Sequence, residues 1–290
     1  MPLLRRPMIA TPPTREKILQ LAQKLPASAQ ILVQLGELLI DINSGLEEIA
    51  QLLKRDSALS AHIIRISNSV AYGTMGGIAS IDEAVCRVGY AEVYRLTGFA
   101  AAAQLGEQKL HIYGHDGIRL RDNTIVCALA AEALAKRAGL DARVAYTAAL
   151  MRATGKLVLD RLGKSSLPAN DDFSTSGMDD LLRWEMDRFG RSNAEVAAIV
   201  LEAWRFPPVV IEPLKRHYLV QPAAGTHARM TAIVNLASGI ASETGYSLPG
   251  EGAHWEKTPE KFQAAGLYPE LMVECANEAT QIFEQIKPTL

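Results

Sequence analysis

The sequence predicts an all-α protein, because several signals agree along most of its length. Apolar residues recur at three- and four-residue spacing, as in Ile18, Leu21, Ala22 and Leu25, which is the period of one helix face. Few stretches lack such a stripe. No run alternates with period two for long enough to predict a β-sheet.

Each helix is predicted from its own apolar stripe and from residues that begin or end helices. Ser80 with Glu83 has the spacing of a capping box. Thr258 before Pro259 has the form of an N-cap and a first-turn proline. The predicted helices cover residues 18–25, 31–39, 46–53, 57–72, 80–88, 120–138, 141–162, 178–189, 194–204, 209–217, 229–244, a short stretch from 259, and 269–286.

Two segments rich in glycine or polar residues divide the chain. Residues 106–117 hold three glycines and two histidines, which favours a linker between two helical subdomains. Residues 165–177 are polar and predict a surface loop. We therefore expect an N-terminal arm at 1–13, an N-terminal helical subdomain at 14–105 and a second subdomain at 106–290.

The composition excludes several classes of partner. The chain has 290 residues, of which 48% are hydrophobic, enough for a large core. A formal net charge of −2 gives no bulk attraction to nucleic acid or to an anionic membrane. No apolar run is long enough to span a bilayer. Cys86, Cys127 and Cys275 are isolated, so we expect no disulfide framework, no zinc ribbon and a cytoplasmic location.

The most specific pattern lies at residues 56–73, DSALSAHIIRISNSVAYG, and continues at residues 78–89, IASIDEAVCRVG. The two segments resemble the paired motif DPxLxxxLLxxxNSxxYG and IxSIxxAIxxLG of the HDOD family, the degenerate branch of the HD superfamily of metal-dependent phosphohydrolases. The resemblance extends over about residues 20–220. It implies a multi-helical HD-like bundle with two packed helical subdomains.

The motif residues Asn68, Ser69, Tyr72 and Gly73 permit two interpretations. Asparagine and glycine are ordinary helix-stop residues, since both tolerate the left-handed conformation, so Asn68 would cap the helix and orient the following loop. The alternative is that the motif is a site of contact with a partner.

The second half resembles the catalytic HD domain, in which a His-Asp pair within an HDIGK run joins other histidines and an aspartate to bind one or two metals. Such metals activate water and neutralise phosphate charge. Residues 149–159, ALMRATGKLVL, resemble that run. By this resemblance, the residues at the ligand positions of the family are Asn123, Arg152, Ala153, Asn193, His217 and Ser238.

This set does not suit a metal. Asparagine amides are poor substitutes for imidazole, alanine offers no donor, and only His217 keeps the residue type of the family. Arg152 would repel a divalent ion about 4 Å away by roughly 8 kcal/mol at an effective dielectric constant near 20. The resemblance therefore implies no bound metal, no cofactor and no catalytic residue.

Arg152 and Lys156 are four residues apart and share a helix face with small and apolar residues, which predicts that both point inward. A buried guanidinium needs a partner. Three alternatives are open: an internal salt bridge to an acid such as Glu185 or Glu195, an anion pocket for a phosphate-bearing ligand, or an Arg152 that snorkels to the surface beside a solvated Lys156.

The remaining candidate residues favour structural roles. His111 and His115 lie among glycines, which predicts an exposed linker rather than a metal site. His62 falls in the polar phase of its helix and is expected at the surface. Trp204 precedes Phe206 and two prolines, which is typical of an aromatic packed at a helix end.

The resemblance implies a non-catalytic module, of the kind found in bacterial regulatory proteins, that acts through protein–protein contacts. Such an adaptor needs an exposed apolar patch, which we expect on the N-terminal helices. A residual metal-dependent phosphohydrolase is the weaker alternative. The other alternative is a nucleotide or phosphate-ligand sensor, which requires an open cavity at the vestigial pocket formed by Asn123, Arg152, Ala153, Lys156, Asn193, His217 and Ser238.

Overall fold

The fold is helical, as predicted, apart from one short hairpin in the described part of the chain. The computed structural model describes residues 11–25, 31, 34–35, 45–69, 72, 77–168, 171–219 and 225–290. Its helices are α1 (Arg15–Ala22), α2 (Leu46–Leu53), α3 (Ser57–Ser67), α4 (Ile81–Val88), α5 (Tyr90–Ala103), α6 (Gly117–Arg137), α7 (Ala142–Leu150), α8 (Thr154–Ser166), α9 (Leu181–Phe189), α10 (Asn193–Ala203), α11 (Pro208–Lys215), α12 (Ala228–Ala241), α13 (Pro259–Ala265) and α14 (Leu271–Ile286).

Short polar side chains begin many of these helices by accepting a bond from a first-turn amide. Ser80 accepts from the backbone N–H of Glu83, as predicted, while the Glu83 carboxylate accepts from Ala79 rather than closing the capping box on Ser80. A complete capping box occurs instead at Ser192 and Glu195. Side-chain caps also come from Thr14, Asp56, Asp116, Asp141 and Asp180.

Helix α6 lies at the centre of the second half and is buried along most of its length. Helices α7, α12 and α14 pack on it, and α5 approaches it from the N-terminal half. Its alanines, most of which are buried, let three neighbours approach closely without large side chains between them. The central position of α6 explains why its polar residues Arg121, Asp122 and Asn123 are also buried.

The N-terminal helices form their own set of contacts: α3 packs on α4 and α5, and α2 packs on α4. Helix α1 packs instead on α8 and α10. The subdomain boundary near residue 105 stays a prediction. Most of the predicted arm at 1–13, most of the predicted helix at 31–39, and Gly73 lie outside the described residues.

Several details of the predicted elements are wrong. The helix predicted over residues 57–72 ends at Ser67. Residues 106–117 are not a plain linker, because Lys109–Leu110 and His115–Asp116 pair as antiparallel strands β1 and β2. A helix not predicted at all, α5, occupies residues 90–103. The predicted helix at 141–162 is divided by a 3₁₀ turn at Met151–Ala153. Within the described ranges, none of the helices is both long and apolar enough to cross a membrane.

Candidate functional site

The candidate site lies at the junction of α7 and α8, where two cationic side chains point into the interior. Arg152 belongs to the 3₁₀ turn between the helices and is 3% exposed. Lys156 lies in the first turn of α8 and is 1% exposed. Both point inward, as predicted, so the alternative of a snorkelling Arg152 and a solvated Lys156 is wrong.

The acid that pairs with both cations is Glu251, whose side chain is fully buried. Its Oε2 atom lies 3.2 Å from Nη1 of Arg152, and its Oε1 atom lies 2.6 Å from Nζ of Lys156. The Tyr218 hydroxyl donates a third bond to Oε1 at 2.5 Å. Both carboxylate oxygens therefore have charged or hydroxyl donors, which a buried ion pair requires.

Two opposing effects act on the pKa of Glu251. Burial favours the neutral acid and raises the pKa, but the nearby cations Lys156 and Arg152 outweigh it and hold the pKa well below its usual range. The carboxylate is therefore charged at neutral pH. It offsets one of the two positive charges in the pocket.

A second acid, Glu185 on α9, is also buried. It accepts bonds from the backbone and side-chain amides of Asn193 and from the hydroxyl of Tyr113 at 2.8 Å. Burial raises its pKa even though the charge of Lys156 opposes that shift. Lys156 also lies 5.3 Å from the centre of the Tyr113 ring, within the range of a cation–π contact.

The other side of Arg152 faces α6. Its Nη2 donates to the side-chain oxygen of Asn123 and contacts the sulfur of Cys127 at 3.5 Å. The Asn123 amide nitrogen donates in turn to the backbone carbonyl of Tyr246 at 2.6 Å. Ser238 is buried, and its hydroxyl donates to the carbonyl of Val234 one turn earlier on α12.

His217 is fully buried, with its Nδ1 donating to the Leu214 carbonyl at 2.6 Å and its Nε2 without a hydrogen-bond partner among the described residues. The ring stacks on Trp255, and the Arg152 guanidinium lies 5.5 Å from that indole. Burial, reinforced by the positive charge of Arg152, lowers the pKa of His217 to about 3. The imidazole is therefore neutral at physiological pH.

Most of the predicted pocket residues meet in this network. Asn123 and Lys156 contact its central ion pairs directly, and Asn193 joins through Tyr218 at 3.3 Å. Ala153 faces a different direction, toward a small apolar cavity that Thr124, Leu157 and other residues line. The centre of the vestigial pocket is packed with side chains rather than open.

Sequence reasoning missed Glu251, the residue that completes the site. Of the two acids proposed, Glu195 belongs to the capping box of α10 and Glu185 bonds to Asn193 without an ion pair to Arg152. Glu251 lies beyond the end of the family resemblance and has no helical stripe around it. Its one signal is local: an acid between Gly250 and Gly252, close to a tryptophan.

The Asn68 side chain supports the structural interpretation of the motif. Its amide donates to the carbonyls of Ile64 and Ile78, and its oxygen accepts from the Ile78 N–H at 2.7 Å. These bonds fasten the end of α3 to the segment before α4. Ser69 is buried, and the Tyr72 hydroxyl donates to Glu92 at 3.1 Å.

The other residues considered in the sequence are exposed or buried partly as predicted. His111 is exposed, as predicted, whereas His115 and His62 are half-buried. Trp204 is half-buried against the core at the end of α10, as predicted. The large exposed apolar residues of the described ranges are Ile118, Met186, Val209, Tyr268 and Val273, so the patch expected on the N-terminal helices does not occur in the part of them that the structure describes.

The residues present do not fit the metal that the HD fold implies. Across the described ranges, no cluster of three or more histidine, cysteine, aspartate or glutamate side chains is arranged to hold an ion. The centre of the pocket holds a guanidinium and an ammonium group, both paired to Glu251. A divalent cation there would have to displace both, since like charges a few ångströms apart repel strongly.

Several solved structures are similar to this chain over most of its length. No curated protein sequence matches it. Among solved structures, a candidate signal transduction protein from Marinobacter aquaeolei VT8 is 21% identical with a TM-score of 0.72, over 94% of this chain and 64% of that one. A candidate phosphohydrolase from Shewanella amazonensis SB2B is 22% identical with a TM-score of 0.64, over 94% of this chain and 96% of that one.

A third structure, an HDOD domain protein of unknown function from Geobacter sulfurreducens, is 18% identical with a TM-score of 0.62, over 93% of this chain and 99% of that one. At these identities the three structures show the shared fold. The HDOD domain family itself matches residues 25–220, about the range of the resemblance described above. The chain therefore belongs to the HDOD domain family.

Proposed function

We propose that this protein is a non-catalytic regulatory module that acts in signal transduction through protein–protein contacts, and that its HD metal site is lost. The proposal rests on two buried ion pairs, one from Arg152 to Glu251 and one from Lys156 to Glu251. Arg152 stands where the resemblance puts a metal ligand of the catalytic HD domain, and Lys156 lies one helical turn later. His217, the remaining imidazole, turns Nδ1 to a backbone carbonyl.

The metal content of the purified protein tests the first half of this proposal. We expect far less than one divalent ion per chain in protein prepared without chelator or metal-affinity tag, and no hydrolysis of bis(p-nitrophenyl) phosphate with added Mn²⁺ or Mg²⁺. One or two tightly bound ions per chain, with hydrolysis that a chelator abolishes, would establish the phosphohydrolase alternative instead.

A cleft beside the HDOD motif supports the second half of the proposal, because it offers a mixed surface to a partner. It has a volume of about 550 Å³ and lies where Tyr72, Ile78 and Val88 of the N-terminal half face Ile282 of α14. Apolar centres with charged rims are typical of non-obligate protein contacts. Glu92 and Arg95 provide charged groups at this cleft.

Crosslinking in cells followed by quantitative mass spectrometry tests this surface. We expect the Val88→Asp variant to lose the crosslink to the partner protein that the wild type captures. The control variant Ile118→Asp changes an apolar residue that is 50% exposed and lies outside the cleft, and it should keep the crosslink. Circular dichroism of both variants controls for folding. Equal capture by the two folded variants would remove the cleft from the proposal.

The proposed setting is a reducing cytoplasm. Cys86, Cys127 and Cys275 are all free thiols in the structure, which is usual where glutathione and thioredoxin keep cysteines reduced. Burial raises the pKa of the Cys127 and Cys275 thiols, so neither is a reactive thiolate at neutral pH.

A further inference from the structure

The surroundings of Glu251 are those of a bound anion. Three donors from two separate parts of the chain converge on one carboxylate: the Arg152 guanidinium and Lys156 ammonium around the start of α8, and the Tyr218 hydroxyl after α11. Arg152 and Lys156 are almost wholly buried. Buried cations arranged around one carboxylate are the construction that proteins use to bind carboxylate or phosphate ligands.

The segment that carries Glu251 enters the pocket as a loop. Gly250 has a φ of 74°, and a side chain there would overlap Phe173. Its carbonyl accepts from the N–H of Leu181 at the start of α9 at 3.0 Å. Gly252 on the other side has open space around it. Glu251 is thus the one side chain of a Gly-Glu-Gly turn, and the turn projects it into the pocket.

We propose that Arg152, Lys156 and Tyr218 form an oxyanion-binding site for a carboxylate or phosphate group, and that Glu251 fills this site in cis. The site is the same pocket as in the proposed function, and the inference rests on the loss of its metal but not on the protein contacts. A free oxyanion binds to Arg152, Lys156 and Tyr218 when the Glu251 carboxylate is absent.

The charges of the pocket favour an oxyanion. Arg152 and Lys156 carry two positive charges, and Glu251 supplies one negative charge. Burial raises the pKa of Glu185, the next acid, and so disfavours its charged form. A phosphate monoester, with about −1.5 to −2 charges at pH 7, would neutralise the two cations more completely than one carboxylate does.

Chemical rescue of the Glu251→Ala variant tests the site. This variant removes the internal ligand and leaves a space the size of a small oxyanion. We expect 100 mM formate to raise its Tm by about 2–4 °C relative to chloride at the same ionic strength, as mass action predicts for a ligand with millimolar affinity. A second arm with inorganic phosphate distinguishes phosphate from carboxylate as the accepted group.

Two matched variants control for general salt effects. Glu243→Ala removes an exposed acid paired to Lys257, and formate should not raise its Tm. The double variant Arg152→Met with Glu251→Ala removes the fork that binds the anion, and rescue should disappear. If Glu251→Ala is insoluble, its refolding yield in formate against chloride gives the same comparison.

Equal Tm values or refolding yields in formate, phosphate and chloride would overturn the inference, as would equal rescue of Glu243→Ala. Metal analysis of the same samples keeps the two proposals separate. Metal-free protein without rescue contradicts the oxyanion site alone, whereas a bound metal ion contradicts the loss of the metal site.

Discussion

Arginine at position 152 changes what its pocket requires from the rest of the protein. A metal-binding histidine needs an ion, whereas a buried guanidinium needs an anion and several acceptors. Glu251 supplies the anion, and Asn123 accepts a further bond. A buried arginine at position 152 is therefore stable only when an acid such as Glu251 pairs with it.

The energetic link between Arg152 and Glu251 is measurable by a double-mutant cycle. We expect Arg152→Met to lower the free energy of unfolding by about 3–5 kcal/mol, because it leaves a buried carboxylate with one cation. The double variant with Glu251→Gln should be more stable than the sum of the single changes predicts, by about 1–3 kcal/mol. Urea denaturation of the four proteins gives these values, and strict additivity would show that the pair is not coupled.

His217 makes the stability of the protein dependent on pH. Its pKa is lowered to about 3 in the folded state and is near 6.5 when unfolded, so the unfolded chain binds the proton more readily. The stability is then complete above about pH 6.5 and declines as the pH falls, by up to about 1.4 kcal/mol per pH unit. His62 and His115 have lowered pKa values and act in the same direction.

His217→Asn isolates this contribution, since an asparagine amide can still donate to the Leu214 carbonyl. Between pH 6.5 and 5, the free energy of unfolding of the variant should fall less steeply than that of the wild type. His115→Asn provides a matched comparison at a half-buried histidine. Parallel curves for His217→Asn and the wild type would mean that the pKa of His217 is the same in the folded and the unfolded protein.

At the scale of elements, the helices were predictable where an apolar stripe and a cap agree. Helix α3 follows the cap Asp56 and buries Leu59, Ile63 and Ile66. Helix α4 follows the cap Ser80 and buries Ile81, Ala84 and Val85. Helix α5 was not predicted because it is apolar on several faces and ends in four alanines, which gives no clear stripe. The break before α8 has no proline and no side-chain cap to signal it.

Gly155 sets how closely α8 and α10 approach. A side chain at this position would overlap the backbone carbonyl of Asn193. Gly155→Ala should therefore lower the free energy of unfolding by about 1–3 kcal/mol or more, although alanine is the better helix former by about 1 kcal/mol. Gly252→Ala, at a position with open space, should change it by less than about 0.5 kcal/mol. Thermal unfolding of both variants checks this contrast, and similar Tm values would argue against the close contact.

At the scale of the molecule, the family match ends near residue 220, but the helices after that residue pack against the helices before it. Helices α12 and α14 cover α6, and Glu251 closes the pocket. The HD-like fold could be predicted from the motif and the helical periodicity. The full site could not, because its last residue lies beyond the resemblance and meets Arg152 only through tertiary structure.

A chain that ends at residue 220 tests how far the family segment depends on the C-terminal helices. We expect it to be aggregated or molten, because truncation exposes the apolar face of α6 and leaves Arg152 and Lys156 without their acid. Size-exclusion chromatography and near-ultraviolet circular dichroism would reveal this. A monomeric truncated chain with fixed tertiary structure would show that the C-terminal helices are dispensable for folding.

The distance along the chain between Arg152 and Glu251 also sets an order of events during synthesis. The two residues are 99 positions apart, so at about 5–20 residues per second the ribosome adds Glu251 roughly 5–20 s after Arg152. Throughout that interval the two cations around the start of α8 lack the carboxylate that pairs with both of them in the folded protein. The ion pairs of the pocket therefore form late, since the carboxylate that completes them is added only after helices α9, α10 and α11 have been synthesised.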